Sequence, residues 1–179
     1  FEPGTAYRFT LTATFEGAEA FASCDALFNA PPRGCKLVAS VAGSGAGGAA
    51  VELVDEISLS APTCVDDAED LPLRYAFAYA TSEGTQPLTS TLQLTRTLDG
   101  VKLPYADGGA VRVLLSAYDQ HGASSIVETE VLVARAVVSA ALADAVVAKQ
   151  TADLERGDTG GVFRSAAVLM TAINREVRR

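Results

Sequence analysis

The sequence predicts a mainly β chain: one antiparallel β-sandwich, with the last hairpin of another sandwich before it and an αα-hairpin after it. Three observations predict it. Apolar and polar residues alternate over short runs, the period of a strand with one buried face. Clusters of Gly, Pro, Asn and Asp separate those runs at the spacing of a sandwich. After Val137 the apolar period lengthens to that of a helix.

The first run, residues 7–15, reads YRFTLTATF, with apolar side chains on every odd position. A turn at Glu16-Gly17-Ala18 leads into a second strand over residues 19–28. Asn29-Ala30-Pro31-Pro32-Arg33-Gly34 is a breaker cluster and marks a boundary. Residues 1–29 are thus expected to end a preceding β-sandwich repeat. Residues 30–136 are expected to form a complete sandwich, and 137–179 a helical hairpin leading to a downstream domain. In the sandwich, strands are expected over 36–41, 51–59, 73–79, 89–98, 110–118 and 125–134. A glycine-rich loop, AGSGAGGAA, fills 42–50, and the fourth of these strands would turn Leu92, Leu94 and Leu98 inward. Leu73, Tyr75, Phe77 and Tyr79 fall on one face of the third.

The last strand pair echoes the first. Val111, Val113, Leu115 and Ala117 align with Tyr7, Phe9, Leu11 and Ala13 at a spacing of 104, and after a one-residue gap Gly122-Ala123 aligns with Gly17-Ala18. This reads as one structural unit met twice. Beyond it, Val138, Ala141, Leu142, Ala145, Val146 and Ala152 follow helical spacing. Gly157 stops that helix, and Asp158 or Thr159 caps the next. Val162, Ala166, Leu169, Met170, Ile173 and Val177 make the second amphipathic stripe.

Composition narrows the function classes. The net charge of −8, without any cluster of Lys or Arg, argues against a nucleic-acid binder. No apolar run approaches the roughly 20 residues needed to span a bilayer. The chain opens at Phe1 in strand-like sequence and is expected to be part of a larger protein. Neither Asn29 nor Asn174 sits in an N-glycosylation sequon.

Cys35 and Cys64 would stand at the start of one strand and just beyond the end of its antiparallel neighbour, where a disulfide can form; two buried free thiols are the alternative. Cys24 is left over and is expected to pair upstream of Phe1 or remain free. Asp66, Asp67, Glu69 and Asp70 supply the hard oxygen ligands that Ca²⁺ favours, often at joints between domains. They lack the spacing of an EF-hand loop, and a solvated acidic loop is the competing reading. Catalysis finds no foothold: His121 stands alone on a turn, and no nucleophile elbow or phosphate loop is present. No catalytic residue and no organic cofactor are expected.

The strings NAPPRGCKL, from Asn29, and APTCVDDAEDLPLRYAFAY, up to Tyr79, resemble the REJ (receptor for egg jelly) module of polycystin-family and related surface proteins. Leu103-Pro104 and the stretch Tyr118-Asp119-Gln120-His121-Gly122-Ala123 resemble its later strands. One Gly is missing before Cys35, and Val65-Asp66 stands where a Trp is usual. The resemblance implies an immunoglobulin- or fibronectin-III-like sandwich in an extracellular region, on a cell, ciliary or flagellar surface. It implies a structural or adhesive spacer whose partners are neighbouring domains of the same chain and other surface proteins. A ligand- or glycan-binding receptor domain is the alternative, with Tyr105 or Tyr118 stacking on sugar. An accessory domain of a secreted enzyme is a third reading.

Overall fold

A computed structural model describes residues 1–41, 48–82 and 84–177. Most of the glycine-rich loop expected over 42–50 lies outside the described residues.

Strands β1 (Ala6–Phe15) and β2 (Ala18–Leu27) form a two-stranded antiparallel sheet by themselves, in register from Ala6↔Leu27 to Phe15↔Ala18. Their connection is the two-residue turn Glu16-Gly17, with φ of 48° and 84°. Positive φ at both positions is what a tight hairpin matched to strand twist requires.

The body follows as two facing sheets. The first holds β4 (Ala50–Val51), β10 (Ser124–Ala134), β9 (Ala110–Tyr118), β6 (Arg74–Thr81) and β7 (Gly84–Pro87), in that order. The second holds β3 (Val38–Val41), β5 (Ile57–Ser60) and β8 (Thr97–Val101). Pairing is antiparallel throughout, except that β4 runs parallel to β10. The core between the sheets joins Ile57, Leu59 and Val101 to Tyr75, Phe77, Val111, Val113 and Leu115, each at most 1% exposed. Period-two sequence in β6 and β9 became alternate burial, as one covered face demands.

Three expectations change. The strand foreseen over 51–59 divides, because the Asp55 carboxylate accepts from the Val51 N–H (2.7 Å) while Val54 and Asp55 N–H groups return to the Val51 carbonyl. That turn, with Leu53 at φ 64°, carries the chain from one sheet to the other. The strand foreseen over 89–98 shrinks to β8, and Leu92 and Leu94 face solvent while Leu88 takes the buried place. Gln93 pairs its backbone with Tyr75 across β6, which turns its two Leu neighbours outward. In the helical hairpin, Ala141, Ala145 and Met170 are exposed, and the buried line of the second helix runs through Ser165, Val168 and Ala172.

Helix α1 (Ala140–Glu155) is capped by Ser139, whose hydroxyl accepts from the Leu142 N–H at 3.2 Å. Helix α2 (Thr159–Val177) follows Gly157 at φ 80°. The pair docks on the sandwich through a small cluster of Leu53, Val146, Val168 and Ala172. Charges complete the contact. Glu52, 1% exposed, receives the Arg175 guanidinium, with Nη1 to Oε1 at 3.2 Å and a second, shorter bond from Nη2 to Oε2. The Tyr105 N–H also donates to Glu52 Oε1 (2.8 Å), and the guanidinium lies over the Tyr105 ring. Below α1, Lys149 bridges Glu56 (3.3 Å) and the buried Asp153 (3.1 Å). Lys102 donates to the Leu53 and Val54 carbonyls, and burial pulls its ammonium below the ordinary lysine range. None of the helices among the described residues is long and apolar enough to cross a membrane.

Candidate functional site: the joint between hairpin and sandwich

Asn29 follows β2 after Phe28. Its side-chain N–H donates to Asp119 Oδ2 at 2.6 Å, joining the hairpin's end to the β9–β10 turn 90 residues on. Asp119 is fully buried, and its Oδ1 accepts from the Ala123 N–H at 2.9 Å. Burial alone would raise the Asp119 carboxyl. Hydrogen bonds from Asn29 and from the backbone of Ala123, Gly122 and His121 outweigh it and hold the group below the ordinary aspartate range.

The next residues are tied as closely. The Pro32 carbonyl accepts from the Ser125 hydroxyl, and Arg33 pairs its backbone with Val65 in both directions at 2.9 Å. Cys35 and Cys64 are joined by a disulfide, with Cα atoms 4.0 Å apart. Cys24 is a free, exposed thiol on β2, opposite Phe9.

The acidic segment lies against this joint. Asp66, Asp67 and Asp70 bring carboxylate oxygens within 4.8 Å of one another, while Glu69 stands exposed outside the group. Asp66 Oδ2 and Asn29 Oδ1 are buried without a hydrogen-bond partner. A short 3₁₀ turn, Ala68–Asp70, places Asp70 where only 7% of it is exposed. Burial, then the negative charge of Asp66, raises the Asp70 carboxyl; Asp119 and Glu69 add to this, and His121 opposes it. The His121 Nε2 lies 3.4 Å from Asp70 Oδ1. Gly4, Phe28, Asn29, Asp67 and His121 line a cleft of about 320 Å³ between the hairpin and this loop.

Sequence reasoning named the acidic residues and both bridged cysteines. It missed Asn29 and Asp119 as a pair, because nothing in local spacing links residues that the fold alone brings together. His121 sits at the joint, and the Tyr105 ring faces Arg175. Tyr118 is half-buried at the end of β9.

A family model described as the REJ domain matches residues 1–172, spanning hairpin, sandwich and nearly all of the helical pair. None of the curated proteins matches the chain.

Proposed function

The chain belongs to the REJ domain family, whose modules are non-enzymatic and extracellular in polycystin-type proteins, and from that premise we propose that it is a structural spacer and protein–protein interaction module of a cell-surface protein. The observation that carries this reading is the joint. Asn29 bonded to a fully buried Asp119, with the Cys35–Cys64 bridge six residues on, supports a fixed angle between hairpin and sandwich. A spacer must hold its parts at one orientation, and a directional hydrogen bond to a buried carboxylate specifies orientation better than apolar contact does. Comparing the backbone amide orientations of β1–β2 and of the sandwich in partly aligned solution tests it. One common alignment tensor is expected, and independent tumbling of the hairpin overturns the spacer role.

A Ca²⁺ ion at the same joint is the second part of the proposal. Three carboxylates at mutual ligand distance, with a buried Asp66 oxygen that no donor satisfies, supply the hard oxygen chemistry such an ion requires. Neutralising mutually repelling carboxylates would stiffen the joint further.

A further inference from the structure

The β1–β2 hairpin has two unlike faces. In its register, Tyr7, Phe9, Leu11, Ala13 and Phe15 lie opposite Ala26, Cys24, Ala22, Ala20 and Ala18, so one face carries no charged side chain at all. The other carries Arg8 paired with Asp25 (2.7 Å), three threonines, Ser23 and Glu19. Such segregation belongs to a sheet with one covered side. Here the Phe1 ring packs on Tyr7 and Phe9 at one end, and the rest of that side is bare: Leu11 is 74% exposed and Phe15 76%.

The same chain contains the covered version. Phe9, Leu11 and Ala13 correspond at a spacing of 104 to Val113, Leu115 and Ala117 of β9, all fully buried. Arg8 opposite Asp25 corresponds to Arg112 opposite Glu130. The agreement extends to the outer side, where Phe21 and Leu27 match Ile126 and Leu132, exposed in both hairpins. In the covered copy, β9 takes β6 along its second edge, with Tyr75, Phe77 and Tyr79 opposite Ala117, Leu115 and Val113.

We propose that the apolar face and free β1 edge of the hairpin are a docking surface for a second β-sheet, carried on the same polypeptide. That sheet adds an antiparallel strand along β1, with large apolar side chains opposite Phe9, Leu11 and Ala13. Its strand has the alternating apolar character of β6, and the sheet facing it carries no charge toward Leu11 or Cys24. The size of the face decides between a tethered occupant and a free one. Ten residues per strand, at about 3.4 Å each over a width of about 10 Å, present roughly 350 Å². Two such faces meeting would bury about 700 Å², short of the roughly 1,200 Å² of a stable association between separate molecules. A tethered sheet meets the face at millimolar effective concentration and needs no such area. This deepens the interaction role by naming the surface and the chemistry of its partner, and it stands on the hairpin alone.

Hydrogen exchange and maleimide labelling of Cys24 test it, comparing the full-length protein with the 179-residue chain. In the full-length protein, β1 amides and the Cys24 thiol are expected to be at least 100-fold more protected. Leu11→Ser should restore their reactivity while leaving exchange in β9 unchanged. Equal reactivity in the two proteins overturns the proposal, whether another sheet is missing or lies elsewhere. A monomer–dimer transition of the 179-residue chain, abolished by Leu11→Ser, overturns it in favour of a second copy. Protection lost on dilution assigns the face to a separate molecule and overturns it as well. Each outcome is independent of the common alignment of hairpin and sandwich, so the spacer reading can fail while this one holds.

Discussion

Asn29 and Asp119, 90 residues apart, are joined by a 2.6 Å hydrogen bond in which the amide donates to a carboxylate with no exposed surface. Asp119 also organises its own turn through the Ala123 N–H. Replacing it by Ala leaves Asn29 and that amide without their acceptor. We expect Asp119→Ala to cost about 3 kcal/mol in urea unfolding and Asn29→Ala about 1 kcal/mol, since the latter keeps the turn's own bonds. Equal effects of the two substitutions would show that Asp119 acts wholly through the joint and adds nothing through its own turn.

Acid separates Asp70 from Asp119. Asp119 has a folded value below the ordinary 3.8, so its stabilising contribution is present above 3.8 and lost as pH falls through the lower folded value. Asp70 has a folded value above 3.8, so its contribution is present below 3.8 and lost as pH rises through that raised value. At neutral pH in chelator, Asp70→Asn should therefore melt higher than the parent chain. The difference should disappear below about pH 3.8, and a lower melting temperature at neutral pH would contradict the burial and repulsion described for this group.

Calcium at this cluster is expected to reverse that order. If an ion bridges Asp66, Asp67 and Asp70, millimolar Ca²⁺ should raise the melting temperature of the parent chain by several degrees and leave Asp70→Asn unmoved. Glu69→Gln should keep the full increment, because Glu69 lies outside the group. A parent chain indifferent to both Ca²⁺ and chelator dismisses the ion.

Arg175→Ala would strand the Glu52 carboxylate in a site where 1% of the residue is exposed. Losing one partner of a buried pair costs about 3–5 kcal/mol. The loss should appear first as rapid amide exchange in α2, with β9 still protected. The double substitution Glu52→Gln with Arg175→Ala should recover part of it, because no buried charge remains.

Replacing Cys35 and Cys64 by Ala opens a loop with a sequence separation of 29. Chain entropy alone makes that worth about 3.5 kcal/mol. Denaturation with and without reductant measures it, and a difference below about 1 kcal/mol would mean that the unfolded chain already keeps this loop closed without the bridge.

Much of the fold was legible because strands with one covered face write their geometry into alternate residues. In β1, β6 and β9 the period is unbroken, and the expected strands closely match those observed. Where a side chain rewires the backbone, pattern fails. Asp55 capping Val51 splits one expected strand, and the Gln93–Tyr75 bridge turns Leu92 and Leu94 to solvent. In α1 the buried Asp153 occupies an inward position, because Lys149 and Arg156 neutralise it; an apolar stripe cannot announce such a residue. The candidate site was half legible. The carboxylates are adjacent in sequence, whereas Asn29, Asp119 and Glu52 gain their meaning only from partners that folding delivers.

The anchoring of residues 29–35 has a mechanical consequence. Within seven residues the chain is held by the Asn29–Asp119 bond, the Ser125–Pro32 bond, the Arg33–Val65 pairing and the Cys35–Cys64 bridge. Tension applied through the hairpin therefore reaches the β9–β10 turn and a covalent cross-link before it reaches β3. The load is borne by the longest strand pair of the sandwich, and the short strand that comes next in sequence is shielded from being peeled away.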